Sequence, residues 1–185
     1  MPKQPIVLEP HSVLRDKARE IASAETKRLI SNMKETLAAA PDGVGLAAPQ
    51  IGVSLKVFLV SEEAEVIDGR RDADNRLHSD EARTKPQWKH YAFVNPVLKK
   101  QSRKKTLMTE GCLSIPGKFG EVSRAEKVFL EWQDENGKKH SRGFSGFFAR
   151  VIQHEMDHLG GVLIIDRAKR MVDLKELRKS KIEAT

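Results

Sequence analysis

Residues 146–159 read GFFARVIQHEMDHL, and this stretch decides the fold. Phe147, Phe148, Val151, Ile152 and Leu159 make it strongly apolar, and 14 residues without a breaker read as a helix. Ser145 stands where an N-cap belongs and Gly160 where a helix stops. His154 and His158 are four residues apart. At 3.6 residues per turn they lie about 40° apart on one face, one above the other. Glu155 follows, about 100° around the same helix, in the H-E-x-x-H arrangement. A helix buried by those apolar residues buries its histidines and its glutamate too. Burying such groups is costly unless they are paired or ligated. The stretch is therefore expected to be both a core helix and a metal site.

Outward from it, the apolar run 162–165 (VLII) reads as a short strand. Residues 127–132 (KVFLEW) alternate as a half-buried strand does, and Asn136-Gly137 turns them into a second strand at 138–144. Residues 55–60 (LKVFLV) and 91–95 (YAFVN) read as strands, the latter closed by Pro96. Leu29, Ile30, Met33 and Leu37 recur at helical spacing over 24–39, with Ser23 as the cap. Residues 43–52 (GVGLAAPQIG) read as a small-residue loop that lets backbone approach something closely. Residues 61–90 are charged and aperiodic, and read as a long surface loop. Residues 171–183 read as a basic C-terminal helix. The sum is a single domain over 1–185 of the α+β class: short mixed or antiparallel strands packed around a central metal-binding helix, with a C-terminal helix.

Composition bounds the function. Hydrophobic residues make up 39% of the 185 residues, enough for a core in one domain. Aromatics are only 5%, so no aromatic platform for single-stranded nucleic acid is expected. The formal net charge of +7 favours anionic partners such as RNA. A basic RNA- or ribosome-binding protein with an incidental metal site is thus the rival from another class. The single cysteine, Cys112, excludes an internal disulfide. The N-terminal stretch lacks a signal-peptide pattern, and no run approaches the roughly 20 apolar residues of a membrane span, so a cytoplasmic protein is expected.

Two histidines need a third protein ligand, with a fourth position left for water. Cys112 in EGCLSIPG is one candidate, and Glu176, 18 residues after His158, is the other. Glu176 sits in DLKELRKSK, which looks like a solvated helix face, so Cys112 is favoured. Glu155 is placed to take and return a proton.

Three motifs now stand in order: GVGLAAPQ, EGCLS and QHEMDH. Together they closely resemble the peptide deformylase family. PHSVLRDKA near the start and GVLIIDR after the helix extend the resemblance, which covers most of the chain outside 61–90. That segment is longer than in compact members, and Ser123 stands before Arg124 where many members have proline. The resemblance implies hydrolysis of the N-formyl group of formylmethionine at the start of nascent polypeptides. It implies Cys112, His154 and His158 as ligands of one divalent ion, natively Fe2+, with Zn2+, Ni2+ or Co2+ also able to bind. It makes Glu155 the proton carrier, and the Gln50 side-chain amide and the Leu113 backbone N–H the donors to the oxyanion. Val44, Gly45 and Gly111 would pair with an extended substrate, and Phe147 and Val151 would line a methionine pocket to which Arg150 lends its aliphatic stem. Glu110 and Arg124 would form an ion pair supporting the Cys112 turn. The basic C-terminal segment would dock on the ribosome near the nascent-chain exit.

Overall fold

A computed structural model describes residues 3–40, 42–69 and 88–173. Helix α1 (Ser23–Ala38) is followed by strands β1 (Gly45–Ala47) and β2 (Val57–Ser61) and a short helix α2 (Glu63–Gly69). Strands β3 (His90–Gln101), β4 (Lys105–Cys112), β5 (Ile115–Ala125), β6 (Lys127–Gln133) and β7 (Lys139–Ser145) come next. Helix α3 (Gly146–Leu159), the one-turn helix α4 (Ile164–Arg167) and strand β8 (Met171–Asp173) complete the described chain. The strands form two antiparallel sheets, ordered β1-β2-β3-β6-β7 and β4-β5-β8. The α+β class expected from the sequence is what the chain adopts.

Helix α3 packs where its composition sends it. Phe148, Ala149, Val151, Ile152 and Leu159 are buried in one cluster with Phe58, Val60 and Phe93 of the larger sheet and with Leu130 and Phe144. On the other side of that sheet, Leu29, Ile30, Met33 and Leu37 of α1 pack with Leu46, Val57 and Leu59. Alternation along β2 thus serves both faces: Phe58 and Val60 meet α3, while Val57 and Leu59 meet α1. A third cluster, Leu14, Ile115, Leu163 and Ile164, fastens the smaller sheet.

Several local expectations are corrected. Ser23 is the first residue of α1 and Ala22 is its N-cap, so the cap position lies one residue earlier. Ser145 is the N-cap of α3 but makes no side-chain capping bond. Residues 43–52 are not a plain loop, because they hold β1 and a 3-10 turn at Ala48–Ile51. Pro96 does not close its strand. β3 runs on to Gln101 through a register shift between Val94 and Val97, where Asn95 takes a positive φ of 48°. A bulge is where a strand tolerates proline. Asn95 is held there by its amide, which bonds both Ile21 N and Ile21 O at 3.0 Å.

Residues 162–165 are not a strand. Leu163 caps α4, with Asp166 Oδ2 accepting from Leu163 N at 2.7 Å. Within 61–90, Ser61 belongs to β2, residues 63–69 are α2 with Ala64 fully buried, and 70–87 lie outside the described residues. Of the expected helix 171–183, residues 171–173 instead form β8, pairing Phe119 with Val172. The remainder lies outside the described residues.

Candidate metal centre

Two elements that are distant in sequence meet at one point. β4 ends at Cys112, where the ladder with β5 slips so that Cys112 pairs with Ile115 across a tight turn. α3 brings His154 and His158 to that turn. The Cys112 Sγ and one nitrogen from each histidine lie within 4.8 Å of one another. Cys112 Sγ is 3.3 Å from His158 Nε2. Ligands of one tetrahedral ion at about 2.0–2.3 Å stand about 3.3–3.8 Å apart, so the donors fit a single cation, and a sulfur with two imidazoles is a donor set that zinc-like ions accept.

Around the ligands lies a network of buried charge. Glu110, two residues before Cys112, accepts from His154 Nδ1 at 3.0 Å through Oε2. A carboxylate on that nitrogen fixes the ring and turns the other nitrogen toward an ion. Arg124 donates to both Glu110 oxygens at 2.9 Å, and Arg150 donates to Oε1 at 2.6 Å. Arg124 also reaches Asp157 and the Gln153 carbonyl. Gln153 ties α3 to β5 by a paired amide contact, Oε1 accepting from Ala125 N at 3.0 Å and Nε2 donating to Ala125 O at 2.9 Å. The glutamine of QHEMDH is thus a bolt between helix and sheet.

The electrostatics favour a cation here. Burial works against charge on His154, but its contacts with Cys112 and Glu110 prevail and raise it to about 10. The pull that holds a proton on His154 is the pull a metal ion would feel. Burial, then His154 and Arg124, push His158 well below its ordinary value, so it stays a neutral donor. Burial also opposes charge on Glu110, yet the bonds from His154 and Arg124 win and hold it down at about 2. Glu155 is the reverse: burial foremost pushes it up to about 7. Its Oε2 has no hydrogen-bond partner, nor has His158 Nδ1.

Gly45 makes room for that carboxylate. A Cβ on Gly45 would lie 2.3 Å from Glu155 Oε1 and 2.8 Å from Val151 Cγ1. Gln50 completes the near side, fully buried, with Oε1 accepting from Ala47 N at 2.8 Å. Its Nε2 faces Ser114 Oγ at 3.3 Å and Cys112 Sγ at 3.7 Å, so its amide donors point into the ligand cluster.

The structure therefore brings Cys112, His154, His158, Glu155, Gln50 and Gly45 together. Leu113 lies in the turn directly after Cys112, and Gly111 is exposed beside it. Val44, Phe147 and Val151 pack in the same apolar cluster as α3. Glu176 lies outside the described residues. Arg150 is 3% exposed, and its guanidinium is drawn into the Glu110 network, a contact the sequence reading did not include. Glu110 and Arg124 pair as expected, but the contact with His154 was missed. The available signal was spacing, since Glu110 and Cys112 share a strand face and Arg150 precedes His154 by one helical turn. A cavity of about 460 Å³ opens elsewhere, between Tyr91, Trp132, His140, Arg142 and Phe148, and none of the cluster residues lines it. Chemistry follows the polar cluster, not the cavity.

Comparison with known proteins shows the family of the chain. The sequence model of the polypeptide deformylase family matches residues 3–173. A peptide deformylase of Pelagibacter ubique is 38% identical over 181 residues, covering 95% of this chain and 94% of its own. One of Thermus thermophilus is 41% identical over 167 residues, covering 88% and 81%. Among solved structures, the peptide deformylase of Thermotoga maritima superposes with a TM-score of 0.73 at 32% identity, covering 92% of this chain and 100% of that one. The Acinetobacter baumannii class I type b peptide deformylase, solved with Met-Ala-Ser bound, gives 0.72 at 30% identity, covering 90% and 98%.

Proposed function

The chain belongs to the peptide deformylase family and removes the N-formyl group from nascent peptides; from that premise we propose that Cys112, His154 and His158 hold its metal and that Glu155 carries the proton. The observation that supports this most is the convergence of three ligand atoms within 4.8 Å beside a buried carboxylate poised at about 7. A divalent ion held there would supply Lewis-acid activation, lowering the pKa of water toward about 7.

The remaining steps fall to the chain's own side chains. Glu155 takes a proton from the water that attacks the formyl carbon, then delivers it to the amine nitrogen as the C–N bond breaks. Formate and a free N-terminus leave. Gln50 Nε2 and Leu113 N–H donate to the oxygen that gains charge, and loss of one such donor typically costs about 2.7–4 kcal/mol of barrier. The backbone at Val44, Gly45 and Gly111 pairs with an extended peptide, and Phe147 and Val151 seat the methionine side chain. Support for the peptide path comes from the Met-Ala-Ser bound to the Acinetobacter baumannii relative.

The native ion on this reading is Fe2+, with Zn2+, Ni2+ or Co2+ competent to replace it. The whole chain acts as one catalytic domain in the cytoplasm; among the described residues no helix is long and apolar enough to cross a membrane. The deciding experiment is formate release from formyl-Met-Ala-Ser by anaerobically prepared protein, with metal analysis on the same sample. One metal per chain with formate release is expected. A full site without formate would overturn the residue assignment.

Docking on the ribosome through the basic residues after Asp173 is part of the same proposal, since nascent chains are the substrate. Because Met171–Asp173 pairs with β5, the cut that tests it belongs after Asp173. Truncation there should weaken ribosome binding in a sedimentation assay while sparing hydrolysis of short formyl peptides. Unchanged binding would remove the idea.

A further inference from the structure

Glu110 is held by more than its ion pair with Arg124. Arg150 stands one helical turn before His154 on α3, and residues four apart share a face. Its guanidinium reaches both strands of a hairpin: Nη1 donates to Glu110 Oε1 at 2.6 Å and to Val122 O at 3.0 Å, and Nη2 to Thr106 O at 2.7 Å and to Thr106 Oγ1 at 3.3 Å. Those partners lie on β4 and β5. The Glu110 oxygen that Arg150 grips is the one His154 does not use. His154 Nδ1 takes Oε2 at 3.0 Å, while Arg124 spans both oxygens.

We propose that Arg150 is a positioning residue for the metal centre, acting through Glu110 on the orientation of His154. The helix that presents the ligand also carries the cation that aims the carboxylate behind it. One side of a closed loop is the α3 backbone between residues 150 and 154, and the other is Arg150–Glu110–His154. Without Arg150, Oε1 keeps only Arg124 Nε, and Arg124 is itself drawn toward Asp157 and the Gln153 carbonyl. The carboxylate can then rotate about its Cγ–Cδ bond and follow Arg124, taking Oε2 off line with Nδ1. Lysine is a poor substitute, because one ammonium cannot reach Glu110 Oε1 while also serving carbonyls on two strands.

The inference rests on the Cys112–His154–His158 reading, and the test separates the two. Full-length protein loaded with Co2+ is compared as wild type, Arg150→Lys and Arg150→Met, following the Co2+ absorption bands and the rate of Co2+ release to a chelator well below the melting temperature. Loss of a group that orients a ligand typically weakens metal binding by about 10–100-fold. Arg150→Met is expected to release Co2+ faster by a factor in that range with altered bands, and Arg150→Lys to fall between it and wild type. A lower Tm with unchanged bands and release rate would assign Arg150 a merely structural role and overturn the proposal. If Arg150→Met does not fold, Arg150→Lys decides alone: wild-type release and bands overturn the proposal, faster release with shifted bands supports it. A wild type that takes up no Co2+ would overturn the ligand reading, and this inference with it.

Discussion

Two buried glutamates, Glu110 on β4 and Glu155 on α3, stand at the candidate metal centre, and their surroundings differ in kind. On the β4 side, Glu110 has two arginines and His154 on its oxygens, and sits at about 2. On the β1 side, Glu155 packs against Gly45 and Val151, leaves Oε2 without a partner, and sits at about 7. Glu110 is a fixed charge. Glu155 is an unsatisfied group able to exchange a proton near neutral pH, which general acid–base work requires. The contrast teaches that burial alone does not assign a role. The number of donors supplied to the buried group does.

The largest break in this contrast is Glu155→Gln, which keeps the shape and removes the proposed proton carrier. Formate release should fall about 10²–10⁴-fold while metal content stays at wild-type level. A matched change on the other side, Glu110→Gln, leaves two buried arginines with a neutral partner. Breaking a buried pair typically costs about 3–5 kcal/mol, so denaturant unfolding should show a loss of that order, with weaker metal retention. If both variants lose activity alone and keep stability and metal alike, the division of roles is wrong.

Gly45→Ala pushes a methyl at the Glu155 carboxylate and Val151. Overpacking of this kind costs roughly 1–3 kcal/mol, and kcat should fall along with Tm. Gly137→Ala makes the useful contrast: its φ of 80° strains a side chain, but nothing lies within 4 Å, so only Tm should move.

The two glutamates also give opposite pH slopes in metal-free protein. Glu155 is raised from 4.5 to about 7, so the folded state binds more protons than the unfolded one between those values. Its contribution to stability therefore declines as pH rises through that window. Glu110 is lowered from 4.5 to about 2, so its contribution is present above 4.5 and is lost as pH falls toward 2. Thermal melts of wild type minus Glu155→Gln should diverge from pH 4.5 to 7, and wild type minus Glu110→Gln below pH 4.5. Smallest is Arg167→Ala. This partner of Asp157 is 53% exposed, and its removal should cost less than about 1 kcal/mol by chemical unfolding.

Much of this is legible in the sequence. The α3 pattern, the His154–His158 spacing and the Asn136-Gly137 hairpin are local properties, and local physics settles them. β3 beyond Pro96 was not legible, because a bulge anchored by Asn95 to Ile21 depends on a contact 74 residues away. The VLII run misled because a short apolar stretch carries no period that separates strand from helix. At the site, the candidate ligands Cys112, His154 and His158 could be picked out from motifs, whereas the Glu110–His154 bond spans 44 residues and appears only when β4 and α3 meet.

Cys112 and His158 stand 46 positions apart, on elements that must both be complete before their side chains touch. This sets an order of assembly. Cys112 and the β4–β5 hairpin precede α3 in the chain, so the proposed ligand set closes only once the last turn of α3 has formed and docked.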